Sequence, residues 1–287
     1  VKRAALALAL VLGGCSGPGL LSAADGLVGG GSGVQRAGEG VAFGSHGQAL
    51  DVWRPAGVQK PLPVVIFWYG GGWTSGTRAG YSFAGRAFAT RGFVVVVPDY
   101  RKVPAVRFPA FLEDGAQAVR WTRDHIRDFG GDPDRIAVAG HSAGAYIAAM
   151  LALDPRYLRA AGVAPTTIRA AVGLSGPYDF YPFTAQSAAD AMAGVADPLT
   201  TQPIHYARAD APPMLLVTSD RDSVVRPYNA VNLANRLRAA GALVELRDYP
   251  GLTHENVAMA LSKPFRGKAP VLADSVAFLN RTMPPPR

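Results

Sequence analysis

The chain has 287 residues, 49% hydrophobic and 17% charged, with 33 Gly, 23 Pro and a single Cys, which excludes a disordered polymer, a collagen-like repeat and a disulfide-stapled scaffold. Lys and Arg number 29 against 21 Asp and Glu, a formal charge of +8. The basic residues are scattered, however, with no run of five, and Arg86, Arg91, Arg120, Arg123 and Arg127 are interleaved with acidic or apolar residues, so no nucleic-acid partner is expected.

At the N-terminus Lys2 and Arg3 precede eleven apolar or small residues, Ala4 to Gly14. That is the charged region and short apolar region of a secretory signal, too short to cross a bilayer core of roughly 30 Å. Residues 1–14 are therefore expected to be a signal peptide. Leu12-Gly13-Gly14-Cys15-Ser16 resembles the lipobox of bacterial lipoproteins, and the resemblance implies lipid on Cys15, a membrane anchor and a place in the cell envelope. Residues 15–40, rich in Gly, Ser and Ala, are expected to hold the anchor Cys and a flexible tether. The folded domain is then expected over 41–287.

From about residue 41 the pattern alternates. Leu50–Trp53 reads as a short strand, and mainly apolar runs follow at Val64–Trp68, Phe93–Val97, Arg135–Ala139, Ala170–Leu174, Met214–Val217 and Leu243–Leu246, as in strands buried on both faces. Helical stretches lie between them at Phe83–Thr90, Phe111–Phe129, Ala143–Leu153 and Tyr228–Ala240. Alternation of this kind predicts a mostly parallel sheet joined by right-handed crossovers and covered on both sides. Residues 177–212, rich in Pro, Ala, Asp and aromatics, break the rhythm and are expected to form a small cap insertion.

Gly140-His141-Ser142-Ala143-Gly144 is a G-x-S-x-G pattern sitting directly between a predicted strand and a predicted helix. That context predicts a nucleophile elbow, with Ser142 exposed at a helix N-terminus where free N–H groups favour developing negative charge. At this point the chain resembles the α/β-hydrolase superfamily, in particular the carboxylesterases related to hormone-sensitive lipase and the arylformamidases. Leu50-Asp51-Val52-Trp53-Arg54-Pro55, Pro98-Asp99-Tyr100-Arg101 and Gly130-Gly131-Asp132-Pro133-Asp134-Arg135 carry the same resemblance, which runs from about residue 45 to 281. It implies an eight-stranded, mostly parallel twisted sheet with helices on both faces.

A serine hydroxyl needs a base. Of the five histidines, His254 lies after the last predicted strand, in a loop at the same sheet end as the elbow. His141 adjoins Ser142 but points elsewhere, His125 is in a helix, His46 precedes the strands, and His205 is in the cap with a possible place in the pocket. The base needs an acid to orient it, and the loop after Met214–Val217 offers Asp220 and Asp222. The resemblance selects Asp222, three residues before Val225, giving the order Ser142, Asp222, His254. It also implies an oxyanion hole from the N–H groups of Gly71, Gly72 and Ala143, because Tyr69-Gly70-Gly71-Gly72-Trp73 matches the family's H-G-G-G-W loop, with Tyr69 in place of the usual His.

Tyr69, Trp73, His141 and Tyr178 are candidate pocket residues, with Phe180, Tyr181 and Phe183 as further aromatic candidates. The expectation is a serine esterase acting on a small-molecule ester through an acyl-enzyme, with no metal or cofactor. An arylformamidase-like amide hydrolase is the nearest alternative, and a non-catalytic binding domain on this scaffold is a more distant one.

Overall fold

A computed structural model describes residues 17–284. Eight strands form one sheet: β1 (Val34–Phe43), β2 (Gln48–Pro55), β3 (Leu62–Trp68), β4 (Val94–Pro98), β5 (Gly131–His141), β6 (Ile168–Leu174), β7 (Met214–Thr218) and β8 (Val244–Asp248). Nine α-helices accompany them among the described residues: α1 (Gly17–Leu27), α2 (Ser82–Ala89), α3 (Ala110–His125), α4 (Ala143–Leu153), α5 (Pro155–Ala160), α6 (Gln186–Ala191), α7 (Tyr228–Ala239), α8 (His254–Met259) and α9 (Val271–Thr282). The strand order is β1-β2-β4-β3-β5-β6-β7-β8. The β1–β2 and β2–β4 pairs are antiparallel and the rest are parallel. This is the α/β-hydrolase fold.

The connections explain where the site must lie. The chain steps from β3 to β4 through α2, then back past β3 to β5 through α3. Right-handed crossovers running in opposite directions put α2 on one face of the sheet and α3 on the other. The steps to β6 through α4 and to β8 through α7 continue in the second direction, so these helices share the α3 face, while α9 packs on α2. β3 and β5 are neighbours whose outgoing helices diverge, which opens a crevice beyond their carboxyl ends. Register keeps those ends level, with Trp68 opposite Gly140 and His141 opposite Leu174.

Five of the six runs are inner strands; the sixth, Leu243–Leu246, falls on the edge strand β8, which is half-buried because nothing among the described residues pairs with its outer side. Val64–Trp68 and Val94–Val97 are fully buried, as expected of strands covered on both faces. Helix α4 is buried along its whole length, so it is apolar all round rather than on one stripe.

The N-terminal region departs from expectation. Residues 17–40 are not a flexible tether, and the domain begins well before residue 41. Helix α1 docks on α2 through polar side chains: Ser22 Oγ donates to the Gly80 carbonyl at 2.7 Å, and buried Asp25 pairs with Arg86 at 2.8 Å. Its most buried side chains are these two polar ones, with Leu21 half-buried beside them, so apolar periodicity registers little of the contact. β1 is an edge strand with two irregularities of register and little burial, and Arg36 pairs with Glu39 on it, so it lacks clean alternation. Residues 1–16, including the expected signal peptide and Cys15, lie outside the described residues.

Candidate active site

The turn after β5 requires glycine on both sides of Ser142. A Cβ at Gly140 would run into the Gly144 carbonyl, and one at Gly144 into the Trp68 carbonyl of β3. Ser142 itself has φ 54° and ψ −122°, a conformation costing on the order of 1–3 kcal/mol for a residue with a side chain. It is held there from both ends: its N–H donates to the Leu174 carbonyl at 2.9 Å, and its carbonyl accepts from Tyr146 N–H at 3.0 Å. The consequence is a serine hydroxyl presented at the N-terminus of α4, on the wall of a cavity of about 480 Å³.

His254 lines the same cavity. It is the first residue of α8, whose Thr253 side chain accepts from the Asn256 N–H. Asp222 lies in the loop between β7 and α7 and accepts from His254 Nδ1 at 2.8 Å through Oδ2. Its Oδ1 accepts from the Val225 and Val224 amides at 2.8 and 3.1 Å. Burial works against ionisation of Asp222, but the His254 hydrogen bond and charge and the Val225 amide outweigh it and hold the carboxyl below its usual range. With Nδ1 donating to the carboxylate, the neutral ring leaves Nε2 free to accept a proton.

Asp220, the other acid in this loop, has a different use. Its carboxylate accepts from the Gly251 N–H at 2.6 Å, and next to it Ser219 Oγ donates to the Leu252 carbonyl at 2.6 Å. Both bonds tie the acid-bearing loop to the loop that carries His254.

The turn after β3 faces the elbow. Gly71 and Gly72 have φ of 133° and 57°, and a Cβ on Gly71 would run into the Ser75 carbonyl, so the turn needs glycine. The Gly71 carbonyl accepts from the Thr74 and Ser75 amides, both at 3.0 Å. No protein acceptor takes the N–H of Gly71, Gly72 or Ala143 among the described residues. All three residues line the cavity.

The pocket candidates divide. Trp73 and His141 line the cavity, and so does Phe180 of the cap, which stacks on Trp73 with ring centroids 6.0 Å apart. Tyr69 does not line it. Its ring stacks on Tyr100 at 4.7 Å, and its hydroxyl donates to Asp99 at 2.9 Å and accepts from Lys102 at 3.0 Å, so it braces the turn from beneath. Tyr178 does not line it either: it is fully buried, its ring packed where side chains on Gly173 and Gly176 would otherwise sit. Tyr181 meets Phe183 edge-to-face, and Phe183 packs on Phe180. His46, His125 and His205 are exposed and away from the cavity.

Several lining residues escaped the sequence reading: Tyr81 from the start of α2, Ser187 and Ala188 from the cap, and Val224, Arg226, Tyr228 and Asn229 around the acid-bearing loop. Tyr228 and Asn229 belong to the first turn of a helix that periodicity does find. Tyr81 has no local signal, because its place depends on how α2 packs. Among the described residues, no group of three or more His, Cys, Asp or Glu is placed to hold a metal ion.

Comparison with known proteins adds family context. A family model described as BD-FAE matches residues 50–237. Esterase LipC of Mycobacterium tuberculosis is 35% identical over 228 residues, covering 72% of this chain and 56% of LipC. Carboxylesterase NlhH of the same species is 32% identical over 240 residues, covering 76% of this chain and 74% of NlhH. The chain spans little more than half the length of several curated relatives it matches, LipC among them. A solved structure of a truncated carbohydrate esterase from gut microbiota superimposes with a TM-score of 0.73 at 21% identity, covering 88% of this chain and 96% of that one; that likeness concerns the fold.

Proposed function

The chain belongs to the BD-FAE family, and we propose that it is a carboxylesterase-type serine hydrolase working through an acyl-enzyme. The observation that carries this reading is the convergence of a positive-φ serine and an Asp-paired histidine on one cavity that is also lined by Gly71, Gly72 and Ala143, whose N–H groups have no protein acceptor among the described residues. The esterase names of LipC and NlhH support it from the side of sequence.

In this mechanism Ser142 Oγ attacks the ester carbonyl carbon while His254 Nε2 takes the hydroxyl proton. Asp222 keeps the proton on Nδ1 and stabilises the imidazolium. Negative charge collects on the former carbonyl oxygen, which the Gly71, Gly72 and Ala143 amides receive. Collapse of the tetrahedral intermediate breaks the bond to the alcohol oxygen, and His254 returns its proton there. Water then attacks the acyl-enzyme with His254 again as base, releasing the acid and regenerating the serine.

Paired kinetics test the assignment. Short p-nitrophenyl esters are expected to turn over faster than N-formyl aromatic amines, with both activities lost in Ser142→Ala. Faster turnover of the amide replaces the esterase reading with an arylformamidase-like one; equal hydrolysis by wild type and Ser142→Ala overturns it.

A secretory signal over residues 1–14 and a lipid anchor on Cys15 form the second part of the proposal, resting on the sequence alone. One residue, Ser16, lies between Cys15 and the start of α1 at Gly17, so a domain anchored there sits against the membrane instead of standing off on a long tether. Incorporation of labelled palmitate in cells, lost in Cys15→Ser, is the expected result; unchanged labelling in that variant excludes the anchor.

A further inference from the structure

His141 is the last residue of β5 and sits 4% exposed between three parts of the site. It precedes Ser142 in the chain. Its ring lies 4.7 Å from the His254 ring, and its Nδ1 lies 2.9 Å from where a Cβ on Gly70 would stand. Its two nitrogens are both engaged: Nε2 is 3.1 Å from the His254 carbonyl oxygen, and Nδ1 is 3.0 Å from the Tyr81 hydroxyl.

These partners fix the tautomer. A carbonyl oxygen only accepts, so Nε2 carries the hydrogen and donates to His254. In a neutral ring Nδ1 is then bare and accepts from the Tyr81 hydroxyl. The opposite tautomer would aim a lone pair of Nε2 at the His254 carbonyl. Burial, and next the proximity of His254, push the His141 imidazole down to about 3, which keeps it neutral at ordinary pH.

We propose that Tyr81 and His141 are positioning residues for the base: a hydrogen-bonded chain from the Tyr81 hydroxyl through His141 to the His254 carbonyl sets where the His254 ring stands relative to Ser142. Asp222 fixes the tautomer and tilt of His254 from the side-chain end, and His141 fixes it from the backbone end. Because His141 and Ser142 are consecutive, the residue next to the nucleophile also holds the base, so the two move together.

Tyr81 is braced in turn. Ser22 of α1 donates to the Gly80 carbonyl at 2.7 Å and accepts from the Phe83 amide at 3.2 Å, gripping the chain on both sides of Tyr81. Asp25 of the same helix accepts from Lys263 N–H at 2.7 Å, shortly after α8. Helix α1 therefore ties the start of α2 to the segment following His254, spanning both ends of the proposed chain.

The inference rests on His254 being the base, which His254→Ala tests separately. Three substitutions test the inference itself, each followed by kcat, KM, melting temperature and the rate of serine phosphonylation by a small fluorophosphonate. Tyr81→Phe and His141→Phe are expected to lower kcat and phosphonylation together by about 10- to 100-fold, with KM changed less than about threefold, as misplacement of a reacting group requires. His141→Gln can donate through Nε2 to the His254 carbonyl and accept from Tyr81 through Oε1, and it is expected to recover most of the loss. If His141→Gln is as slow as His141→Phe while both stay folded, or if Tyr81→Phe leaves kcat and phosphonylation unchanged, the proposal is wrong. Tyr81→Phe keeps its ring packing, so it decides the matter even if His141→Phe fails to fold.

Discussion

On one side of the cavity His141, Ser142, Asp222 and His254 are each less than a tenth exposed; His141, His254 and Asp222 are joined by hydrogen bonds, and Ser142 is fixed through its backbone by Leu174 and Tyr146. On the other side Val224 and Tyr228 are 61% and 50% exposed, and Phe180 is held by ring contacts, stacked on Trp73, edge-to-face on Tyr146 and tilted against Phe183. The first wall is rigid because each buried polar group loses a partner if its neighbour moves. The second is apolar and half open, so it can shift at little cost. The proposed mechanism puts chemistry on the first wall and selection among esters on the second, and substitutions on each should differ in kind as well as in size.

The sharpest contrast lies within one loop. Asp222→Asn keeps the shape of the side chain but disrupts the tautomer of His254, and kcat is expected to fall by about 10⁴-fold. Asp220→Ala, two residues away, removes only the bond to Gly251 and is expected to cost less than about tenfold. Steady-state kinetics on one short ester check both, and equal losses would break the separation of the two acids.

The glycine turn after β3 comes next in size. In Gly71→Ala the new methyl group meets the Ser75 carbonyl, so the turn must shift and misdirect its donors. A fall in kcat of about 10²- to 10³-fold is expected, with KM nearly constant. A change confined to KM would place Gly71 in substrate binding and not in charge stabilisation.

Stability against pH probes the same wall without substrate. His141 stays neutral when folded, at about 3, whereas an unfolded His takes up a proton near pH 6.5. Below about pH 6.5 the unfolded chain thus binds one more proton, and stability falls toward pH 3 by about 1.4 kcal/mol per pH unit from this group. Asp222, held low, adds a loss in the same direction at lower pH. Around His141 stand Tyr81 from α2, Asp222 from the loop before α7 and His254 from α8, with Glu255 beyond Tyr81. Denaturant midpoints between pH 7 and 4 should fall less steeply in His141→Gln by that one-proton slope; parallel curves would contradict the neutral buried imidazole.

The smallest effects belong to the second wall. Phe180→Ala removes the stack on Trp73, worth about 0.5–1.5 kcal/mol. KM for aryl or long-chain esters is expected to rise up to about tenfold while kcat on acetyl esters stays within about twofold. A uniform loss across all esters would make Phe180 part of the chemistry.

How far the sequence discloses this molecule follows from the kind of force at each place. Central strands and α4 are continuous apolar runs because both faces or all sides are covered, so they are legible. The Gly140–Gly144 pattern is legible because close backbone approach admits only glycine there. Helix α1 is not legible: the side chains it buries most fully are Ser22 and Asp25, and a largely polar interface has no hydrophobic period. β1 fails for a related reason, since an irregular edge strand alternates poorly. Tyr69 and Tyr178 look like pocket aromatics in sequence, but whether a ring faces the cavity or the core behind it depends on tertiary packing. The same holds for Tyr81, which reaches the site only because α2 lies where it does.

The central claim is that Ser142 is a nucleophile activated by His254. Intact mass measurement after reaction with a small fluorophosphonate, followed by peptide mapping, tests it most directly. One adduct per chain on the peptide containing Ser142, absent in Ser142→Ala and slowed at least about 10³-fold in His254→Ala, is the predicted result. An adduct on another residue, or equal labelling of Ser142 with and without His254, would contradict it.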